Sequence, residues 1–170
     1  MRSFVDALAR ARIGATFNQY AESDLRRARL IDYLERRSAV PYLLVGEAAG
    51  YRGARVSGVP FTSERQLTGE GPAEATATIV HGVLGELGVE EDVLLWNVVP
   101  THPGTQRSNR RPTRAEVRDA MPFLQELLRG RRPIAVGRIA HQAIGGRYVR
   151  HPSHGGSAAF REGLLLSIRP

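Results

Sequence analysis

Short unbroken apolar runs alternate along this chain with longer segments of helical spacing. The runs are YLLV at 42–45, DVLLW at 92–96 and IAV at 134–136, with a shorter one at 147–150. Consecutive apolar residues without polar alternation read as strands buried on both faces, the pattern of a parallel sheet. Three of the runs deliver polar groups at their carboxyl ends: GEAAGYRG at 46–53, Asn97, and HPSHGG at 151–156. Helical spacing covers 3–13, 22–37, 73–87, 114–129 and 138–144. Ser3 with Asp6, and Thr113 with Glu116, read as capping boxes. In the second helix Leu25, Ala28, Leu30, Ile31 and Leu34 form the apolar side, and its arginines read as a solvated face. Gly82 and Gly85 weaken the third helix.

Residues 16–20 read as a turn and 97–112 as a loop rich in Pro, Gly and Asn. Residues 46–71 form a glycine-rich loop longer than connections without a function usually are. The segment 160–168 fits a helix or a strand. The alternation predicts one α/β domain over 1–170, with a parallel sheet covered on both faces. In open sheets of this kind ligands bind outside the carboxyl ends of the strands. Glu47, Asn97 and His151 are therefore expected to converge on one pocket.

Composition narrows the chemistry. Among 170 residues, 24 basic side chains face 17 acidic ones, for a net charge of +7, and every basic residue is an arginine. Such a charge suits a polyanion such as nucleic acid; the competing reading is a drift from lysine to arginine without functional meaning. With no lysine, only the Met1 amino group remains for imine chemistry, which excludes a lysine Schiff base. The absence of cysteine excludes disulfides, thiolate nucleophiles, iron–sulfur clusters and cysteine-bound zinc. No apolar run approaches the ~18–20 residues of a membrane span, and the N-terminus has no secretory apolar segment. A cytoplasmic protein with no membrane partner is the expectation.

Each motif has two readings. Gly46–Gly53 lacks the lysine of a P-loop and the spacing of a dinucleotide fingerprint; its glycines serve either close backbone approach or a tight turn. Phe61 either folds into the core or offers a face on which a base stacks, worth ~1–3 kcal/mol. Asn97 either ties up loop backbone or uses its paired donor and acceptor to read a pyrimidine edge. His151 either caps its loop or donates to a developing oxyanion. His151 and His154 have the spacing of metal ligands, but no third ligand lies near them in sequence, so no metal is expected. Ser153, Gly155 and Gly156 present a hydroxyl and backbone N–H groups suited to phosphate.

Taken in order, GEAAG at 46–50, GVPF at 58–61, LLWN at 94–97 and HPSHGG at 151–156 resemble the motifs of the uracil-DNA glycosylase superfamily, across residues 42–156. The resemblance implies a three-layer α/β/α sandwich around a four-stranded parallel sheet. It also implies a monofunctional glycosylase that flips uracil, or another deaminated base, out of DNA and leaves an abasic site. Under it, Gly46, Ala48, Gly50 and Tyr51 line the base pocket and Phe61 stacks on the base. Asn97 reads its edge, His151 stabilises charge on the leaving base, and Glu47 acts on the water or the sugar cation. Arg107, Arg110 and Arg111, with Ser153, His154 and Gly155, are the expected DNA contacts. No cofactor is implied, and the chain is expected to act as a monomer.

The chain departs from the family pattern at Ala48, where some members carry Asp or Asn, and at Ala49, which replaces a proline. It departs again at Gly50, where the most uracil-specific members carry a tyrosine. A second function class is a module that binds damaged or single-stranded DNA without turnover. A third is a hydrolase of free nucleosides.

Overall fold

Runs of consecutive buried side chains build the sheet. All seven residues of Val93–Val99 are buried, as are Tyr42 to Gly46, and a strand can be buried at every position only if both faces are covered. The computed structural model describes residues 1–168. In chain order its elements begin with α1 (Arg2–Arg10), α2 (Asp24–Arg36), β1 (Tyr42–Ala48), α3 (Ala54–Ser57), α4 (Glu64–Thr68), α5 (Ala75–Glu86) and β2 (Val93–Val99). They continue with β3 (Gly104–Thr105), β4 (Ser108–Asn109), α6 (Arg114–Leu128), β5 (Arg132–Val136), α7 (Arg138–Ile144), β6 (Arg147–Val149) and α8 (Ser157–Ile168).

The main sheet has four strands in the order β2-β1-β5-β6, every pair parallel. The fold is thus an α/β layered sandwich on a four-stranded parallel sheet. Because the strands are parallel, the segments after Ala48, Val99, Val136 and Val149 all leave from one edge. From β1 the chain first moves outward to β2 and later returns to β5 on the other flank, which places a topological switch point at β1.

Both strands that carry site residues run further than the sequence predicts. The ladder continues through Gly46↔Asn97 and Ala48↔Val99, so Glu47 and Asn97 belong to strands rather than to the loops after them. Ladder bonds and burial outweigh the weak strand preference of Gly and Asn. The free edge of β2 is closed by Tyr33: the Leu95 N–H donates to its Oη at 2.7 Å, and the hydroxyl donates to Leu95 O at 3.4 Å. Fully buried Trp96 anchors the core, edge-on to Phe4 at 5.8 Å between ring centroids, and Phe4 in turn meets Phe123 of α6 at 5.7 Å.

Several local expectations change. The first helix starts at Arg2, capped by Met1, so Ser3 lies inside the first turn and forms no capping box with Asp6. The arginines of α2 are not all a solvated face. Arg26 Nε donates to Val56 O at 2.9 Å, and Arg29 grips both oxygens of Glu64 at 2.8 and 2.9 Å. A guanidinium has enough donors to satisfy a buried loop's carbonyls, which helical spacing alone does not reveal. These contacts pin residues 46–71, which contain α3 and α4 rather than plain loop. Residues 97–112 contain the β3–β4 hairpin, and 160–168 fall within a helix.

Thr113 and Glu116 do form a capping box at α6. Glu116 is 1% exposed and takes both Arg110 nitrogens at 2.8 and 2.6 Å together with the Thr113 N–H at 2.8 Å. The Arg110 guanidinium, first among its partners, holds the Glu116 carboxyl down at about 2 from an ordinary 4.5. A carboxyl lowered by folding stabilises the fold fully above its unfolded value, and that contribution drains away as pH falls through the folded value. Glu116→Gln is therefore expected to cost about 1–3 kcal/mol at neutral pH. The wild-type advantage in urea midpoint should shrink on acidification from near pH 5 toward pH 2, the window bounded by these two values. Equal midpoints at neutral pH would show that the pair contributes nothing.

Candidate active site

Beyond the carboxyl edge of the sheet lies a cavity of about 300 Å³, within the size range of small-ligand pockets. Its wall brings together Glu47, Ala48 and Gly50 from β1 and the turn after it, Asn97 from β2, Phe61, Arg110, and His151, Ser153 and His154. Gly46 stands behind this wall rather than on it. A Cβ at Gly46 would overlap the Phe61 ring and lie 3.1 Å from Asn97 Oδ1. The bare backbone at position 46 thus lets the ring and the amide crowd onto the same stretch of sheet. Phe61 is only 7% exposed and holds a left-handed φ of 52°, an unusual backbone for an aromatic residue. It serves the core and the cavity wall together.

Asn97 is 4% exposed, and among the described residues its amide has no hydrogen-bond partner. The amide opens onto the cavity, where its donor and acceptor are free to pair with a ligand. His151 is held differently. The Ser153 N–H donates to its Nδ1 at 3.2 Å, and Ser153 Oγ lies 2.8 Å from the same nitrogen. With Nδ1 accepting, a neutral ring carries its proton on Nε2. Burial, and next the neighbouring His154, push the His151 pKa below its ordinary 6.5. The ring is therefore a neutral donor at pH 7.

Glu47 is half-buried, and burial raises its carboxyl against the opposing positive field of Arg111. Arg110 reaches the wall, but both its terminal nitrogens are engaged by Glu116. Tyr51, Arg107, Arg111 and Gly155 lie outside the lining. The Tyr51 ring carries the Arg52 guanidinium at 5.3 Å, and its backbone N–H donates to Asn109 Oδ1 at 2.9 Å.

The lining also contains residues that the sequence reading passed over, notably Glu74, Thr76, Pro103 and Asn109. Glu74 and Thr76 sit at the start of α5, where helical spacing directs attention to the apolar face and away from the cap. Pro103 follows His102, a fully buried residue whose Nδ1 lies 2.8 Å from Ala49 O and whose Nε2 lies 2.8 Å from Thr105 O. The signal was available: His102-Pro103 repeats, after β2, the His-Pro pattern that singled out His151.

An open parallel sheet with a polar cavity outside its carboxyl ends is where α/β proteins hold small ligands. Residues 35–166 match the model of the Uracil DNA glycosylase superfamily, well over half of the chain, and the protein belongs to that superfamily. Its fold is similar to the crystal structure of wild-type Pedobacter heparinus SMUG2, with a TM-score of 0.68 at 12% sequence identity, covering 96% of this chain and 95% of that one. Comparison with curated proteins by sequence gives no match. At this identity the likeness speaks for the fold, and the family match speaks for a DNA glycosylase.

The geometry at His151 is open to direct measurement. Imidazole ¹⁵N spectra at pH 7 should show a protonated Nε2 and a bare Nδ1, with a midpoint below 6.5. Folding disfavours the charged ring, so this residue's contribution to stability is full above the unfolded value of 6.5 and should be lost as pH falls from there through the lower folded value. A ring protonated on both nitrogens at pH 7 would contradict this picture.

Proposed function

We propose that the protein is a monofunctional DNA glycosylase that hydrolyses the N-glycosidic bond of uracil, and of other deaminated bases, in DNA. The observation that carries this reading is the amide of Asn97, free of partners among the described residues and open to the cavity, on the same wall as the neutral donor His151. An amide that both donates and accepts complements the 4-oxo/N3–H edge of uracil, and the edge of cytosine inverts that pattern. The edge is hidden within a duplex, so the base is turned out of the stack into the cavity. There Phe61 forms the wall against which it lies.

Breaking the bond places negative charge on the departing base and positive charge on the sugar. His151 Nε2–H suits the first, because a preorganised donor in a dry site acts where the charge develops. The carboxylate of Glu47 suits the second. Arg107 and Arg111 remain for phosphates, joined by Ser153, His154 and Gly155 of the last loop. With no lysine in the chain no lysine imine forms to break the strand, and the abasic strand stays uncut.

The test is release of uracil from a labelled oligonucleotide. Wild type should release it and should break the strand only after alkali. His151→Ala should slow release by roughly 10²–10³-fold, the usual cost of removing one donor at a developing anion. Asn97→Ala should also slow it and should narrow the preference for uracil over cytosine. Release of no base, or variants that match wild type, would end this reading; tight uracil-DNA binding without release would favour a binding module.

A further inference from the structure

Glu74 stands at the N-cap of α5, a position whose side chain ordinarily accepts from the first-turn N–H groups. Here it makes no such hydrogen bond; the side chain turns instead onto the cavity wall. Its carboxyl lies across the turn after β1. A Cβ at Gly50 would overlap Oε1 and come within 3.0 Å of Cδ, and a Cβ at Gly53 would overlap Oε2 and come within 2.8 Å of Cδ. Neither glycine has a left-handed φ. Room for this carboxyl is what the two positions provide.

Among the described residues no hydrogen-bond donor and no cation meets Glu74, in a chain that carries 24 arginines. An unpaired carboxylate drawn out of water costs stability, and beside a polyanion it repels. Only a group that it serves within the cavity gives it a use. Glu47 and Glu74 thus place carboxyls on one wall, but in different fields: Arg111 opposes the effect of burial on Glu47, whereas nothing opposes it on Glu74. Of the two, only Glu47 has a neighbouring guanidinium that favours its charged form, which leaves Glu74 as the carboxyl on this wall available to take up and release a proton.

We propose that Glu74 is the general base of the glycosylase, an assignment that rests on the function proposed above. Its carboxylate accepts a proton from water as the water oxygen bonds to C1′ of the sugar. The C1′–N bond breaks and its electron pair leaves with the base. The proton held on Glu74 then passes to the departed base through solvent, restoring the carboxylate. Glu47 stays charged throughout beside the sugar cation.

The experiment is single-turnover release of uracil from a labelled single-stranded oligonucleotide by the whole chain, followed against pH. Glu74→Gln should slow release by about 10²–10⁴-fold. Binding to the same strand carrying an uncleavable 2′-fluorinated uracil nucleotide should be as tight as wild type or tighter, because a charge that repels the strand is removed. The melting temperature should equal or exceed that of wild type, because an unpaired, partly desolvated charge is removed. The wild-type rate should rise with pH through the titrations of the cavity groups Glu47, Glu74 and His151, and Glu74→Gln should remove one carboxyl step that persists in Glu47→Gln. Gly50→Ala, which displaces the carboxyl, should also slow release, and combining it with Glu74→Gln should add nothing further.

Wild-type rates in Glu74→Gln would overturn the assignment, and so would a carboxyl step lost only in Glu47→Gln. A wild-type protein that releases no base from any DNA would instead remove the glycosylase reading, and this assignment with it.

Discussion

Between Gly46 and Asn97 the sheet keeps its register beyond the last purely apolar residues of β1 and β2, and the site is built on that extension. A ladder ending at Val45 and Trp96 would leave an asparagine and a glutamate on mobile loop backbone. Continued pairing fixes both on adjacent parallel strands. Position 46 must then be glycine, because the Phe61 ring occupies the space where its Cβ would lie. Strand pairing, a missing side chain and an aromatic wall therefore depend on one another. A substitution at any of these positions disturbs the rest, since rings and amides crowded at this density cannot shift independently.

The long segment that supplies Phe61 has little regular structure of its own, and its order comes from outside. Tyr20 donates to Gly58 O at 3.1 Å, Arg26 to Val56 O, and Arg29 clasps Glu64. On the cavity wall Arg110 is fixed by buried Glu116, and away from it, just before β2, Arg37 donates to Glu90 O at 2.7 Å. A lysine could not make the forked contacts at Glu64 and Glu116. A good part of the arginine content thus works inside the molecule. Arginine–carboxylate pairs already cancel within the net charge of +7, so the excess offered to a polyanion rests on guanidinium groups without a carboxylate partner among the described residues, such as those of Arg107 and Arg111.

Much of the fold was legible because burial on both faces writes itself as unbroken apolar runs, and because Thr113 and Glu116 form a cap recognisable from spacing alone. Gly46 and Asn97 misled for a physical reason: both residue types disfavour strands in general, and only tertiary pairing keeps them in one. The arginines of α2 misled in the same way, since no local pattern distinguishes a guanidinium facing water from one facing a carbonyl across a loop. Asn97, His151 and Glu47 stood out because each follows an apolar run. Glu74 and Asn109 follow no such run. Glu74 enters the cavity from a helix start and Asn109 from the open end of the β3–β4 hairpin, and only the packing of those elements against the turn after β1 brings them near.

The polar groups around the cavity also divide by sign. His151 presents a neutral donor with its acceptor nitrogen already occupied by Ser153, so it can meet negative charge without first losing a proton. Glu47 and Glu74 carry the opposite character, and burial weakens the water shell that would otherwise neutralise their effect. A substrate that binds as a neutral base and sugar gains little from such an arrangement. A transition state that separates charge, with an anion on the base and a cation on the sugar, gains from both groups at once. Preferential stabilisation of that state over the bound substrate is what raises a rate rather than merely an affinity. A pure binding module has no need of unpaired carboxyls beside a polyanion, since they weaken its grip. That such groups persist in a cavity whose lining arginine is already held by Glu116 argues for turnover.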